Sequence, residues 1–101
     1  MQEVIGIPSG DLVELEKALM LGPVSVAVDA SNWSQYSSGV MEFEDCGKLQ
    51  NHAVLLTGVN LDEKYFTIKN SWGSRWGEGG YIRLRLADTC GVADTAFYVR
   101  A

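Results

Sequence analysis

The sequence contains one histidine, two cysteines, two prolines and no long apolar run. Its apolar stretches, such as VSVAV at 24–28 and AVLL at 53–56, fall far short of the roughly 20 residues that a membrane-spanning helix needs. Two cysteines and one histidine cannot supply the four ligands of a tetrahedral zinc centre, and no metal or other cofactor is expected. Basic residues are outnumbered, 8 Lys and Arg against 13 Asp and Glu, and the net charge of −5 argues against nucleic acid or an anionic membrane as partner. Low-complexity tracts and internal repeats are absent. The opening Met1-Gln2-Glu3 carries an acid and leads into no apolar segment, so no signal peptide is expected.

What remains is the composition of a globular protein, 47% hydrophobic and 21% charged. A chain of 101 residues makes one domain, 1–101, and folding buries roughly 60–70% of its surface, enough for one core. The two cysteines allow one disulfide, which would imply an oxidising compartment. Asn32-Trp33-Ser34 fits the N-glycosylation pattern and points the same way, although such triplets are common by chance.

Local patterns place the elements. Asp11-Leu12-Val13-Glu14 has the form of a capping box, Leu12, Leu15 and Leu19 with Val13 and Met20 recur at helical spacing, and Gly22-Pro23 is a stop. These predict one amphipathic helix at about 11–21. Residues 24–29 alternate with the period of a half-buried strand. Residues 30–51 read as irregular. Residues 52–59 and 65–69 read as two strands joined by a turn at 60–64, residues 80–86 alternate with Ile82, Leu84 and Leu86 inward and Arg83 and Arg85 outward, and 97–99 forms a last short strand. The expected fold class is α+β, mostly β: a partly closed antiparallel barrel with one N-terminal helix.

The segment YFTIKNSWGSRWGEGGY at 65–81 sets two tryptophans around an asparagine in a glycine-rich loop. The hairpin explains part of this. A turn centred on Leu61 or Asp62 brings residue 52 opposite residue 70 or 72, so His52 and Asn70 become cross-strand neighbours within side-chain reach. An imidazole that moves protons needs a fixed tautomer and ring orientation. A carboxamide oxygen supplies both without adding a charge, and Trp72 is placed to keep water from the bond. A His–Asn pair on a hairpin is also a common structural arrangement. A sugar-stacking platform would account for the tryptophans but not for the His–Asn register.

The motifs Asn51-His52-Ala53-Val54, Lys69-Asn70-Ser71-Trp72-Gly73 and Trp76-Gly77-Glu78-Gly79-Gly80-Tyr81 closely resemble the second half of papain-like cysteine proteases. Gly22-Pro23-Val24-Ser25-Val26, Ser38-Gly39-Val40 and Cys90-Gly91-Val92-Ala93 extend the resemblance over essentially the whole chain, and residues 46–53 and 90–98 are most similar to the cathepsin L-like branch. The resemblance implies that His52 is the catalytic histidine of a thiol endopeptidase, that Asn70 orients it, and that Trp72 and Trp76 support the pair. It implies that Ala27, Gln50, Asn51, Ala53 and Thr95 line the main substrate-binding pocket. It implies that Cys46 and Cys90 pair with each other.

The family's nucleophile setting, C-G-[SA]-C-[WY], has no counterpart here, nor has the glutamine of its oxyanion hole. Acids beside Cys46 would raise a thiol pKa, which is the wrong direction for a nucleophile. The chain is therefore expected to be the histidine-bearing half of a lysosomal, vacuolar or secreted enzyme that acts on peptides or proteins. It would be inactive alone, partnered by an N-terminal domain carrying the cysteine, and able to self-associate through the exposed interdomain face. The alternative is a pseudoprotease or other non-catalytic domain with a binding or structural role.

Overall fold

A computed structural model describes residues 2–100. Within them the chain forms β1 (Glu3–Ile7), α1 (Leu12–Leu19), β2 (Val24–Val28), β3 (Val40–Met41), β4 (His52–Asn60), β5 (Tyr65–Lys69), β6 (Tyr81–Arg85) and β7 (Ala96–Arg100). The strands make one sheet in the order β1-β7-β2-β4-β5-β6-β3, a barrel left open between β1 and β3. Every pairing is antiparallel except the short β3–β6 contact, where Val40 and Met41 lie alongside Arg83 and Leu84.

Alternation drives the sheet. Val24, Val26 and Val28 point inward with Leu56, Phe66, Ile68, Ile82 and Leu84, all essentially buried, while Ser25 and Ala27 take the opposite face of β2. Helix α1 starts where the Asp11 carboxylate accepts the Glu14 N–H at 3.0 Å, and it closes one side of the core with Leu15 and Ala18. Its apolar face is narrower than the spacing predicts. Leu12 and Leu19 are partly buried, but Val13 and Met20 are 61% and 87% exposed, because only the stripe through Leu15 meets the sheet.

Two strands depart from the sequence expectation. β1 and the two-residue β3 lie in stretches with no clear period-two signal, and both are edge strands recruited by distant partners. In β1, Glu3 pairs with Arg100 and Ile7 with Ala96. Arg83 and Arg85 do face out of the core, but each is paired: Arg83 with Glu78 at 2.7 Å and Arg85 with Glu42 at 2.6 Å.

Candidate active site

His52 is the first residue of β4, where it pairs with Val28 of β2, and Asn70 directly follows β5. The β4–β5 register steps by one residue between Leu56 and Gly58, running from Asn60 opposite Tyr65 to Leu55 opposite Lys69. This bulge sets the diagonal on which the two polar side chains meet. His52 Nε2 lies 2.8 Å from Asn70 Oδ1.

A second bond assigns the proton. The Ser71 backbone N–H, which can only donate, also points at Asn70 Oδ1 at 2.8 Å. That atom must be the carbonyl oxygen, so His52 Nε2 carries a hydrogen, and in the neutral ring the lone pair is on Nδ1. Asn70 is 6% exposed, and its N–H is tied to the Gly80 carbonyl at 3.0 Å. Its Nδ2 is buried without a partner among the described residues.

Two aromatic rings flank the imidazole, and two more pack behind them. Trp72 lies over the imidazole, with centroids 5.3 Å apart and planes at 30°, and is 44% exposed. Trp33 meets the ring edge-on at 6.2 Å and is fully buried. Trp76 stacks on Trp33 at 5.8 Å, packs against Trp72 and Tyr36, and donates its indole N–H to the Trp33 carbonyl at 2.8 Å. Sequence reasoning found Trp72 and Trp76 but treated Trp33 only as the centre of a glycosylation triplet. The signal available was an aromatic pair, Trp33 and Tyr36, inside a segment otherwise poor in structure.

Glu78 holds the glycine-rich loop in place. Its carboxylate takes two bonds from Arg83, at 2.7 and 2.8 Å, and one from the Gly39 N–H at 3.0 Å. Gly77 beside it has φ of +58°, and a Cβ there would come within 2.6 Å of the Tyr81 carbonyl, so only glycine fits. The Arg83 bonds pull the Glu78 pKa down to about 2. A carboxyl whose pKa is lowered on folding contributes stability that is complete above its unfolded value and is lost as pH falls toward the folded one. We expect the unfolding free energy to drop by about 1–2 kcal/mol more in the native protein than in Glu78→Gln between about pH 5 and pH 2, allowing for partial exposure of the pair. Urea titrations at a series of pH values test this, and parallel curves for the two proteins would count against it.

The outward face of β2, β4 and β7 forms a groove of about 520 Å³ beside the pair. Ala27, Ala53 and Thr95 line it, with Leu55, Lys69 and Phe97. Gln50 and Asn51 lie outside it: Gln50 donates to the Gly91 carbonyl at 3.3 Å, and the Asn51 oxygen accepts the Ala30 N–H at 2.9 Å. The exposed Asn32 donates its amide to the Asp45 carbonyl at 3.0 Å. Cys46 and Cys90 are joined in a disulfide. Among the described residues no cluster of side chains has the makings of a metal site, and no helix is long and apolar enough to cross a membrane.

Comparison with known proteins identifies the family and the fold. The family model described as papain family cysteine protease matches residues 1–100. Cathepsin L 2 of Paramecium tetraurelia is 52% identical over 79 residues, covering 78% of this chain and 24% of that protein. Cathepsin L of Sarcophaga peregrina is 42% identical over 103 residues, covering 93% and 30%. The chain thus spans less than a third of the length of these relatives. Among solved structures, the bromelain protease of Ananas comosus in complex with the E64 inhibitor superposes with a TM-score of 0.83 at 38% identity, covering 95% of this chain and 48% of the other. Digestive procathepsin L 3 of the Tenebrio molitor larval midgut gives 0.86 at 38% identity, covering 97% and 34%. With the family model matching nearly every residue and cathepsin L proteins among its relatives, the chain belongs to the papain family of cysteine proteases, in its cathepsin L-like branch.

Proposed function

We propose that this chain is the histidine-bearing part of a thiol endopeptidase and that His52 and Asn70 serve its chemistry. The observation that carries this is the His52–Asn70 bond, with its tautomer assigned by the Ser71 N–H and its upper side covered by Trp72. The free Nδ1 lone pair suits His52 to take the proton of a cysteine thiol and then, as imidazolium, to protonate the leaving amine. Asn70 keeps the ring from rotating, and Trp72 with Trp76 excludes water from the bond between them.

The nucleophile has to come from elsewhere, since both cysteines of this chain are committed to the disulfide. The face around the groove fits a companion domain: Ala27, Ala53, Leu55 and Phe97 are apolar, and the exposed Lys69 among them calls for a carboxylate on the partner. The disulfide and the cathepsin L relatives favour a lysosomal, vacuolar or secreted setting, in which Asn32 would be open to glycosylation before the chain folds. A second reading, a non-catalytic binding or structural domain, draws on the same commitment of both thiols.

The substrate pocket follows from its lining. Ala27, Ala53 and Thr95 are small and uncharged, and no carboxylate lines the groove to meet a basic side chain. The longer enzyme is expected to prefer Leu, Val or Phe over Arg at its main subsite, by roughly 10-fold or more, and to lose cleavage in His52→Ala. Peptide-library profiling of the native enzyme and that variant tests both. A preference for Arg would remove the pocket assignment, and undiminished cleavage by His52→Ala would remove the function.

A further inference from the structure

His52 enters β4 from residues 46–51, a segment without regular structure. Such a segment does not on its own hold a side chain to the tolerance that proton transfer needs. One buried carboxylate ties it down. Asp29 directly follows β2 and is 6% exposed. Its Oδ1 accepts the Ser31 N–H at 3.0 Å and the Ser31 hydroxyl at 2.5 Å, and its Oδ2 accepts the Leu49 N–H at 3.2 Å. Gly47 lies so close that an added Cβ would stand 2.8 Å from Oδ2. The Asp29 N–H is given to the Cys90 carbonyl at 2.8 Å, which links the clamp to the disulfide turn.

The carboxylate also sets the direction of every bond beyond it. An ionised carboxylate only accepts, so the single Ser31 hydroxyl hydrogen goes to Asp29. Ser31 Oγ is left to accept from Asn51 Nδ2, which lies at 3.1 Å. That in turn makes the other Asn51 atom the oxygen, which accepts the Ala30 N–H at 2.9 Å. The Asn51 N–H is held by the Val28 and Leu49 carbonyls at 3.1 and 2.9 Å. Asn51 is thereby gripped by main chain and side chain immediately before His52. The same turn seats Trp33, whose N–H goes to the Ala30 carbonyl at 3.0 Å and whose ring meets the imidazole edge.

Building on the proposed role of His52, we infer that Asp29 is a positioning residue for it: through Ser31 and Asn51, and by its grip on Leu49, the carboxylate sets how His52 enters β4 and how Trp33 abuts its ring. The hydrogen bonds from Ser31 hold the Asp29 carboxyl below its ordinary pKa, which keeps the chain of donors and acceptors in this one direction.

The test uses this chain and long-range proton–nitrogen NMR of the His52 ring. The native protein is expected to show the Nε2-protonated tautomer with a protected Nε2 hydrogen. Asp29→Asn puts an NH2 where one oxygen stood, so it must give up either the Ser31 bonds or the Leu49 bond. Ser31→Ala removes one hydroxyl from an exposed residue and is expected to leave the fold in place, and Gly47→Ala pushes on the carboxylate without removing its charge. In each folded variant the Nε2 hydrogen is expected to exchange about tenfold faster, with weaker contacts between His52 and Trp33, as loss of one hydrogen bond implies. A clamp that served stability alone would lower the denaturant midpoint and leave the ring signals unmoved in Ser31→Ala and Gly47→Ala. That result would overturn the inference while leaving the proposed function standing. A native protein without the Nε2-protonated signature would overturn the assigned tautomer and the inference with it.

Discussion

A fluorogenic peptide incubated with this chain alone is expected to be cleaved no faster than in buffer, and addition of the cysteine-bearing half of a close relative is expected to raise that rate by several orders of magnitude. An imidazole without a thiolate cannot form the acyl-enzyme, and members of a nucleophile–base unit act together, so loss of one removes most of the rate. Both cysteines here are bonded to each other, which leaves His52 with no thiol in this chain to deprotonate. The same open face that would receive the companion should make the chain associate with itself at high concentration. Phe97, 41% exposed, lies on this face with Leu55, Ala53 and Ala27, and Trp72, 44% exposed, lies over His52. Sedimentation at millimolar concentration reads this directly. Thiol-dependent turnover by the chain alone would sink the catalytic assignment. A strict monomer would sink only the argument from the exposed face.

Reduction of the Cys46–Cys90 bond is expected to cost about 4 kcal/mol of stability, because it frees a loop spanning 44 residues in the unfolded chain. Its place in the fold adds to that cost. One end lies at the head of the irregular segment leading to His52 and the other in the turn Thr89–Gly91, whose Cys90 carbonyl receives the Asp29 N–H. Loss of the bond should therefore loosen the approach to the His52–Asn70 pair before the sheet itself gives way. Urea unfolding with and without reductant measures the first effect, and intact mass after alkylation checks the bond. Uptake of two alkyl groups without prior reduction would show two free thiols and end the prediction.

Much of this protein is legible from short-range pattern. The alternation of Val24, Val26 and Val28, and of Ile82 and Leu84, dictates strands with one buried face, since side chains on a strand point to opposite sides in turn. The short turn between β4 and β5 dictates an antiparallel pairing, and with it the meeting of His52 and Asn70 across 18 residues. Asp11 marks the start of the helix and Gly22-Pro23 its limit by local backbone chemistry.

Contacts between distant segments decided the rest. β1 has no pattern of its own and exists because β7, more than 90 residues later for the Glu3–Arg100 pair, offers an open edge. Nothing local separates Val13 from Leu15 as a core residue; only the line along which α1 touches the sheet does. Trp33 sits in a stretch that reads as irregular and Asp29 ends one that reads as a strand, yet one abuts the imidazole and the other anchors the segment before it. Periodicity reports which face of an element is apolar, because neighbouring residues share one backbone geometry. It carries no record of which loops the folded sheet brings together, and the setting of His52 is made by those loops.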